Sequence, residues 1–399
     1  MQVATGALAT FVRSWVFRDV VIPFLATRVM LVVVAWLAFQ SFQDLPAKPN
    51  TWEIRANGKI GKVVGKISPD VYPLINMWSR WDAGWYQSIA EKGYDFVPNR
   101  RSSTAFFPVY PMLMRAVHRF SPSGSDGSWL VCGIIVSNAA LLVALIYLVR
   151  LVRIDFDHAA AARSALYLLV FPTSLFFSAV YSESLFLAFT LACFYHARKE
   201  QWWLAGIIGA AAALTRSLGI LLVAPLAVEY LMQRRFNLRA IRPNVAAIAL
   251  IPAALAALMW YWSWRFGNMM ATQDAQAAWG GGWGAFTLPW KPFVRFIQQP
   301  FILNDVINFS FAGVLLALIV FVAVKLRPSY GVYAASCYLF VTSWGTFESV
   351  PRYVLVIFPA FIALAQLGRK PAFDRAYLAI ATGLAAFFMI RFSLWRWVA

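Results

Sequence analysis

The chain has 399 residues, of which 61% are hydrophobic and only 13% are charged. Soluble domains carry about 25% charged residues, so this composition excludes a series of water-soluble domains and predicts one integral membrane body over residues 1–399. The formal net charge of +18 fits basic loops that orient a membrane protein and contact anionic lipid headgroups. We expect membrane lipids, and not nucleic acid, to be its partners.

Apolar segments of bilayer-spanning length recur along the chain. Residues 8–17 suit a short interfacial helix, and the run that follows is too long for a cleaved signal peptide. We predict an all-α polytopic membrane protein with about eleven transmembrane helices. The predicted crossings are residues 20–39, 129–149, 164–180, 184–195, 202–214, 218–232, 245–264, 306–324, 330–344, 353–367 and 377–392.

The charges of the short loops predict the orientation of these helices. Basic loops alternate with loops poor in Lys and Arg, so we expect the basic loops and the N-terminus in the cytoplasm. The basic loops are residues 150–163, 196–200, 234–242, 325–327 and 369–375. The long loop of residues 41–128 then lies on the extracytoplasmic face, where we expect it to contain short amphipathic helices. We find no assignment for its Lys-rich insert, residues 46–72.

One part of this loop combines an acid, arginines and several aromatic residues. Its centre is Asp82, which lies between Trp81 and Trp85. In a helix, Asp82 shares a face with Tyr86. Aromatic neighbours partly desolvate a carboxylate, which makes it a stronger proton acceptor, and they offer flat faces to a sugar ring or an isoprenoid. The alternative is that Asp82 caps a helix or pairs with Arg80, and these residues alone leave both interpretations open.

The segment of residues 104–111 that follows is apolar but contains Pro108 and Pro111. Proline interrupts a helix, so we expect a re-entrant or surface-lying segment and not an ordinary crossing. Arg100 and Arg101, just before it, are candidates to bind a phosphate or a lipid headgroup.

Charged residues within or beside apolar runs are further candidates, because an unpaired charge in a membrane is costly. Glu183 is a functional candidate, unless it only opens the next helix together with Ser182. Arg28 either binds a phosphate or Glu183, or extends to the membrane surface, and Arg216 poses the same question. Arg352 is positioned where an anion could dock. The acid Glu348 lies near it in the same predicted outer turn.

Motifs for metal and nucleotide chemistry are absent from the sequence. The three cysteines have no CxxC spacing, no HExxH motif or Rossmann fingerprint occurs, and residues 279–284 lack the phosphate-cradle pattern. The sequence therefore indicates no metal site and no certain cofactor, and we do not expect a nucleotide-sugar donor. We interpret the cysteines as packing residues and His118 as a surface residue.

The order of these motifs resembles the PIG-V family, which contains the second mannosyltransferase of GPI-anchor assembly (GPI mannosyltransferase 2) and many bacterial relatives. Arg28 also matches the family pattern. The remaining matching residues are Arg80-Trp81-Asp82-Ala83 with Tyr86, Phe106-Phe107-Pro108 with Tyr110-Pro111, Phe171-Pro172, Ser178-Ala179 with Tyr181 to Phe186, and Pro351-Arg352-Tyr353.

The family is similar to the wider GT-C glycosyltransferases, which use a polyprenyl-phosphate sugar as donor. The resemblance implies that Asp82 is the catalytic acidic residue, which takes the proton of the acceptor hydroxyl in an inverting transfer of mannose to a lipid, glycan or protein acceptor at the outer face of a bacterial inner membrane. The substrate-binding candidates are Glu183, Arg80, Trp81, Trp85, Tyr86, Arg28, Arg216, Arg352, Tyr353, Arg100 and Arg101. A transporter or flippase of an anionic substrate is the alternative, although the two halves show no internal repeat.

Overall fold

A computed structural model describes residues 14–42, 51–54, 60–63, 73–121, 126–278, 286–298, 303–344, 347 and 349–398. Glu348 and residues 279–284 lie outside these ranges, as does most of the insert at residues 46–72. The described chain is almost entirely helical, which confirms the predicted all-α class.

The helices are numbered here in chain order. The first continues from a π-helical turn at Phe17–Val21. The α-helices are α1 Ile22–Ser41, α2 Pro73–Asn76, α3 Ala83–Lys92, α4 Val109–His118, α5 Asp126–Val152, α6 His158–Leu169, α7 Glu183–Arg198, α8 Trp202–Ala213, α9 Val223–Gln233, α10 Leu250–Phe266, α11 Ala271–Ala277, α12 Lys291–Gln298, α13 Leu303–Lys325, α14 Pro328–Thr342, α15 Val350–Val354, α16 Phe358–Leu367 and α17 Pro371–Ser393. Short 3-10 turns cover Ser103–Ala105, Ser174–Phe177, Ser217–Leu222, Leu238–Ala240 and Pro243–Ala249.

Five helical stretches in the described ranges are long and apolar enough to cross a membrane. They are Phe17–Ser41, Gly127–Val152, Pro243–Phe266, Leu303–Lys325 and Pro371–Ser393. Shorter apolar helices at Trp202–Ala213, Ser217–Gln233 and Phe358–Leu367 coincide with other predicted crossings. The total of about eleven crossings therefore stays a prediction, as do the orientation of the helices and the single-domain organisation of the chain.

The predicted crossing over residues 164–180 is not one helix. Helix α6 ends at Leu169, and a 3-10 turn at Ser174–Phe177 follows. Pro172 explains the break, because proline donates no backbone hydrogen bond and disfavours helical geometry in the residue before it. The broken connection of residues 170–182 is fully buried in the protein, where irregular backbone at membrane depth is tolerated.

Short helices fill the described part of the predicted long loop, as expected for residues 41–128. Helices α2, α3 and α4 lie there, and Pro111 falls in the first turn of α4, so residues 104–111 lead into a short helix and do not cross as one. The insert contains a small exception to the all-helical pattern. Strands β1 (Thr51–Ile54) and β2 (Ile60–Val63) pair antiparallel, with Thr51 opposite Val63.

Candidate active site

The turn that carries Asp82 is docked against the broken connection between α6 and α7. The amide of Val180 donates to the Trp78 carbonyl at 3.0 Å, and the Tyr181 hydroxyl donates to the Arg80 carbonyl at 2.9 Å. The same hydroxyl accepts from the Asp82 amide at 3.3 Å. These bonds hold Asp82 beside the start of α7, although the two segments are about a hundred residues apart in the chain.

Asp82 precedes α3 at the N-cap position, but its side chain makes no capping hydrogen bond. Its Oδ2 instead accepts from Arg352 Nη1 at 2.8 Å. The carboxylate remains 28% exposed, so it is accessible to a substrate. The alternative in which Asp82 pairs with Arg80 is therefore wrong, and the cap interpretation holds for the position of the residue but not for its side chain.

Backbone strain occurs on both sides of this ion pair. Trp81, just before Asp82, has φ 46°, and Ser349, three residues before Arg352, has φ 65°. Left-handed backbone costs a residue other than glycine about 1–2 kcal/mol. Such strain is retained where the surrounding structure imposes it, and it is concentrated at functional sites.

Glu183 is the first residue of α7 and is fully buried. Its Oε1 accepts from Arg216 Nη1 at 2.6 Å and lies 3.2 Å from Arg352 Nε. Its Oε2 has no hydrogen-bond partner among the described residues. The four side chains form a continuous ion-pair chain in the order Asp82, Arg352, Glu183, Arg216. Its two carboxylates and two guanidinium groups give the ion-pair chain a net charge of zero.

The two arginines keep their charge in this environment. Burial would lower the pKa of Arg352, but Asp82 and Glu183 raise it well above its ordinary value. The guanidinium of Arg352 also lies 5.5 Å from the Tyr181 ring, and that of Arg216 lies 5.5 Å from the Tyr353 ring. The ion-pair chain therefore holds two permanent cations beside a partly exposed acid.

Local sequence explains where Arg216 lies. Helix α8 ends at Ala213, and a 3-10 turn at Ser217–Leu222 folds back on that end. A Cβ at Gly219 would lie 2.3 Å from Ala213 Cα, so this close approach requires glycine. The turn sets the Arg216 guanidinium against Glu183 and the Ser182 hydroxyl, which is 3.3 Å from its Nη1.

The aromatic residues that follow Asp82 form a buried wall behind it. Trp85 stacks on Phe106 with ring centroids 5.6 Å apart, and Tyr86 packs edge-on against Tyr110 at 4.9 Å. The Tyr86 hydroxyl is 2.8 Å from Ser182 Oγ. Burial raises the pKa of Tyr86, so this phenol stays neutral and serves as a hydrogen-bonding group and not as a base.

Arg80 is directed away from the ion-pair chain. Its Nη2 donates to the Ser393 carbonyl at 3.0 Å, its Nη1 donates to Asn76 Oδ1 at 2.7 Å, and its guanidinium lies 4.4 Å from the Trp395 ring. Trp81 packs at 5.3 Å against both Phe392 and Trp397. The segment of residues 392–398 thus braces the Asp82 turn, a contact that our sequence reasoning missed. The only signal was the dense aromatic pattern FSLWRW.

Arg28 neither reaches Glu183 nor extends to the membrane surface. Its guanidinium is buried, where Nη1 donates to the Ser174 carbonyl at 3.0 Å and to Ser178 Oγ at 3.1 Å. Its Nη2 donates to the Leu169 carbonyl at 3.1 Å. Leu169 is the last residue of α6, so Arg28 satisfies carbonyl groups at the helix end and within the break that follows.

Arg100 is exposed, and Arg101 Nε donates to the Ala278 carbonyl at 3.5 Å. Their phosphate-binding role stays a prediction. His118 is half-buried and stacks on Trp129 with centroids 3.6 Å apart. Within the described ranges, no three His, Cys, Asp or Glu side chains are grouped as a metal site would require.

A family model and curated relatives both show that this chain is similar to mannosyltransferases. The family model described as Mannosyltransferase (PIG-V) matches residues 55–263. GPI mannosyltransferase 2 of Chaetomium globosum is 31% identical over 189 residues, which cover 40% of this chain and 39% of that protein. GPI alpha-1,6-mannosyltransferase 2 of Rattus norvegicus is 29% identical over 165 residues, which cover 40% of this chain and 33% of that protein. The match thus spans well under half the length of these curated relatives.

Among solved structures, this chain is similar to the apo form of the oligosaccharyltransferase of Archaeoglobus fulgidus. The alignment covers 93% of this chain and 56% of the oligosaccharyltransferase chain. The sequence identity is 13% and the TM-score is 0.47.

Proposed function

Because the chain belongs to the PIG-V mannosyltransferase family, we propose that it is a membrane-embedded inverting glycosyltransferase of the GT-C type. It transfers mannose from a polyprenyl-phosphate donor to an acceptor hydroxyl on the extracytoplasmic side of the membrane. The observation that carries this proposal is the ion-pair chain of Asp82, Arg352, Glu183 and Arg216, which sets a partly exposed acid beside two buried cations.

Asp82 serves as the general base in this reaction. The acceptor oxygen attacks the anomeric carbon of the mannose, and Asp82 takes the proton of the acceptor hydroxyl. The bond between the anomeric carbon and the donor phosphate oxygen breaks, and its electron pair leaves with the polyprenyl phosphate. Attack opposite the leaving group inverts the anomeric configuration, as in the inverting glycosidases that use one base on the face opposite the leaving group.

Arg352 and Arg216 stabilise the phosphate as its negative charge grows. Arg352 Nη1 donates to Asp82 Oδ2 at 2.8 Å, so a donor-substrate phosphate that binds Arg352 competes with Asp82 for this N–H group. Glu183 contacts both arginines through one oxygen, which keeps them close to each other during the exchange. Donor binding therefore releases the Asp82 carboxylate at the time when the acceptor needs a base.

The helix termini favour an anion at the same place. Asp82 precedes α3, Ser182 precedes α7, and neither side chain caps its helix. The Ser182 hydroxyl is used for Tyr86 and Arg216 instead. The positive ends of two helix dipoles thus point to the region of the ion-pair chain, and a helix N-terminus favours phosphate binding.

A transfer assay tests the proposal without a known acceptor. The full chain, purified in lipid nanodiscs, is given polyprenyl-phosphate [14C]mannose or, separately, GDP-[14C]mannose, together with an extract of membrane lipids, glycans or proteins. We expect label to enter a chloroform-soluble, glycan or protein product from the polyprenyl-phosphate donor only, with inverted anomeric configuration. Transport of the intact donor across liposomes without any new glycosidic bond would support the flippase alternative, which no observation here favours.

A further inference from the structure

A cationic and apolar loop follows helix α9, at residues 234–242, and is called here the 234–242 loop. Four of its nine residues are arginines: Arg234, Arg235, Arg239 and Arg242. Between them, Phe236 is 63% exposed and Leu238 is 70% exposed, and Ile241 is exposed as well. Exposed large apolar side chains that alternate with arginines are typical of segments that lie in the headgroup region of a membrane.

The loop lies far from the ion-pair chain and next to a membrane span. Helix α7 starts at Glu183 and has 16 residues, so its other end is about 24 Å away. Helix α9 follows the turn after Arg216 and ends at Gln233, just before the loop. The candidate span Pro243–Phe266 begins directly after the loop. Gln233 Nε2 donates to the Ala197 carbonyl near that other end of α7 at 2.9 Å, so the loop lies at the end of α7 that is remote from Asp82.

The exposed arginines of the loop differ from other arginines in the same region. Arg198 is paired with Asp155 at 2.6 Å, and Arg327 is paired with Glu229 at 2.7 Å. By contrast, no ion pair joins the side chains of residues 235, 239 and 242 to a carboxylate in the part of the chain that the structure describes. These three positive charges thus remain available to an external anion.

Arg234 adds buried donors at the base of the loop. Its side chain is 10% exposed, and its Nη1 lies 3.3 Å from Glu200 Oε2. Its guanidinium lies 5.2 Å from the Tyr230 ring, and Trp202 packs on the same tyrosine at 4.8 Å. Arg234 Nε and Nη2 and the Trp202 indole nitrogen have no acceptor among the described residues. Arg234 thus places a further positive charge at the base of the loop, behind the exposed arginines.

We propose that the 234–242 loop is a binding site for anionic phospholipids, in the leaflet opposite the one that faces Asp82. The phosphate groups bind the exposed arginines, while Phe236, Leu238 and Ile241 insert between the acyl chains. The chemistry fits lipid better than an acidic protein, because the loop joins a membrane span directly and its apolar residues are spaced singly among the charges. The proposal does not depend on the reaction at Asp82.

Lipid titration followed by native mass spectrometry tests this site on the full-length chain. Wild type is compared with a loop variant, Arg235→Gln with Arg239→Gln and Arg242→Gln. The matched control changes three exposed basic residues at the start of helix α17: Arg369→Gln with Lys370→Gln and Arg375→Gln. Phosphatidylglycerol and phosphatidylcholine are the two probes, at low and at high salt, and a third variant carries Phe236→Ser with Leu238→Ser.

We expect wild type to bind phosphatidylglycerol more tightly than phosphatidylcholine. Each basic residue at an anionic surface changes the binding affinity roughly 5-fold. The loop variant lacks three of them, so its affinity for phosphatidylglycerol should fall on the order of 100-fold. The affinity of the control variant for phosphatidylglycerol should fall less than about 5-fold. The variant with Phe236→Ser and Leu238→Ser should bind both lipids more weakly than wild type. Equal losses in the two triple variants, or no loss in the loop variant, would overturn the proposal. All variants must retain the melting temperature of wild type.

Discussion

The substitution Glu183→Gln tests whether the ion-pair chain is an energetically coupled unit. Glutamine keeps the shape of the side chain and removes its charge. Glu183 is fully buried, and it lies 2.6 Å from Arg216 and 3.2 Å from Arg352. The substitution therefore leaves two largely buried cations with one carboxylate, Asp82. Removing one partner from a buried pair costs about 3–5 kcal/mol, and we expect a loss of this size in the free energy of unfolding.

The matched control is Glu200→Gln. Glu200 is also paired with an arginine, Arg234 at 3.3 Å, but its side chain is 54% exposed. Solvent screening limits an exposed pair to about 0–1 kcal/mol. The two substitutions remove the same chemical group, so a difference between them reports the effect of burial.

The assay is unfolding in a graded mixture of mild detergent and sodium dodecyl sulfate, monitored by tryptophan fluorescence. A double-mutant cycle with Arg216→Gln separates the coupling from each single loss. We expect the double variant to be more stable than the sum of the two single losses indicates, by at least about 1 kcal/mol, because residues that share an ion pair are not additive. Additive losses, or a Glu183→Gln loss no larger than that of Glu200→Gln, would refute the coupled ion-pair chain.

Three further predictions concern the arginines. Arg352→Gln should raise the KM for polyprenyl-phosphate mannose at least about 10-fold, since it removes a charged contact to the phosphate, and an unchanged KM in steady-state assays would contradict its phosphate role. Arg80→Lys and, separately, Trp395→Ala should lower kcat at least about 10-fold with little change in the KM for the donor, because each loosens the contacts that hold the Asp82 turn in place. A selective rise in KM would instead indicate that the residue contacts the substrate directly. Arg28→Gln should destabilise the protein by about 2–4 kcal/mol, since it leaves buried carbonyls unpaired, and a melting temperature equal to that of wild type would contradict the structural role given to Arg28.

Much of the helical framework could be predicted because hydropathy alone marks long apolar helices. The predicted crossing at residues 20–39 lies within the observed stretch Phe17–Ser41, and residues 306–324 lie within Leu303–Lys325. Prediction failed at residues 164–180, where apolar composition hid a break that Pro172 imposes. The hairpin of β1 and β2 was missed because its strands of four residues each are too short to show a clear periodicity.

The candidate site residues could be identified one by one, because a charge in apolar surroundings is conspicuous. Their pairing could not, since it depends on contacts between distant parts of the chain. Arg80 is two residues from Asp82, yet it bonds to Ser393, 313 positions away. Asp82 instead bonds to Arg352, 270 positions away. The motif pattern predicts a substrate contact for Arg28 in the first helix, whereas its observed partners include the Leu169 carbonyl at the end of α6 and the Ser174 carbonyl in the break that follows.

In the proposed reaction, Asp82 removes the proton from the acceptor hydroxyl. The most direct measurement compares the single-turnover rate of mannose transfer from polyprenyl-phosphate mannose for wild type, Asp82→Asn and Glu91→Gln. Glu91 is an exposed acid in helix α3, the helix that Asp82 precedes. Loss of a general base predicts a rate for Asp82→Asn that is about 100- to 10,000-fold lower, with donor binding retained and Glu91→Gln unchanged. A folded Asp82→Asn protein that transfers mannose at the wild-type rate would contradict the account.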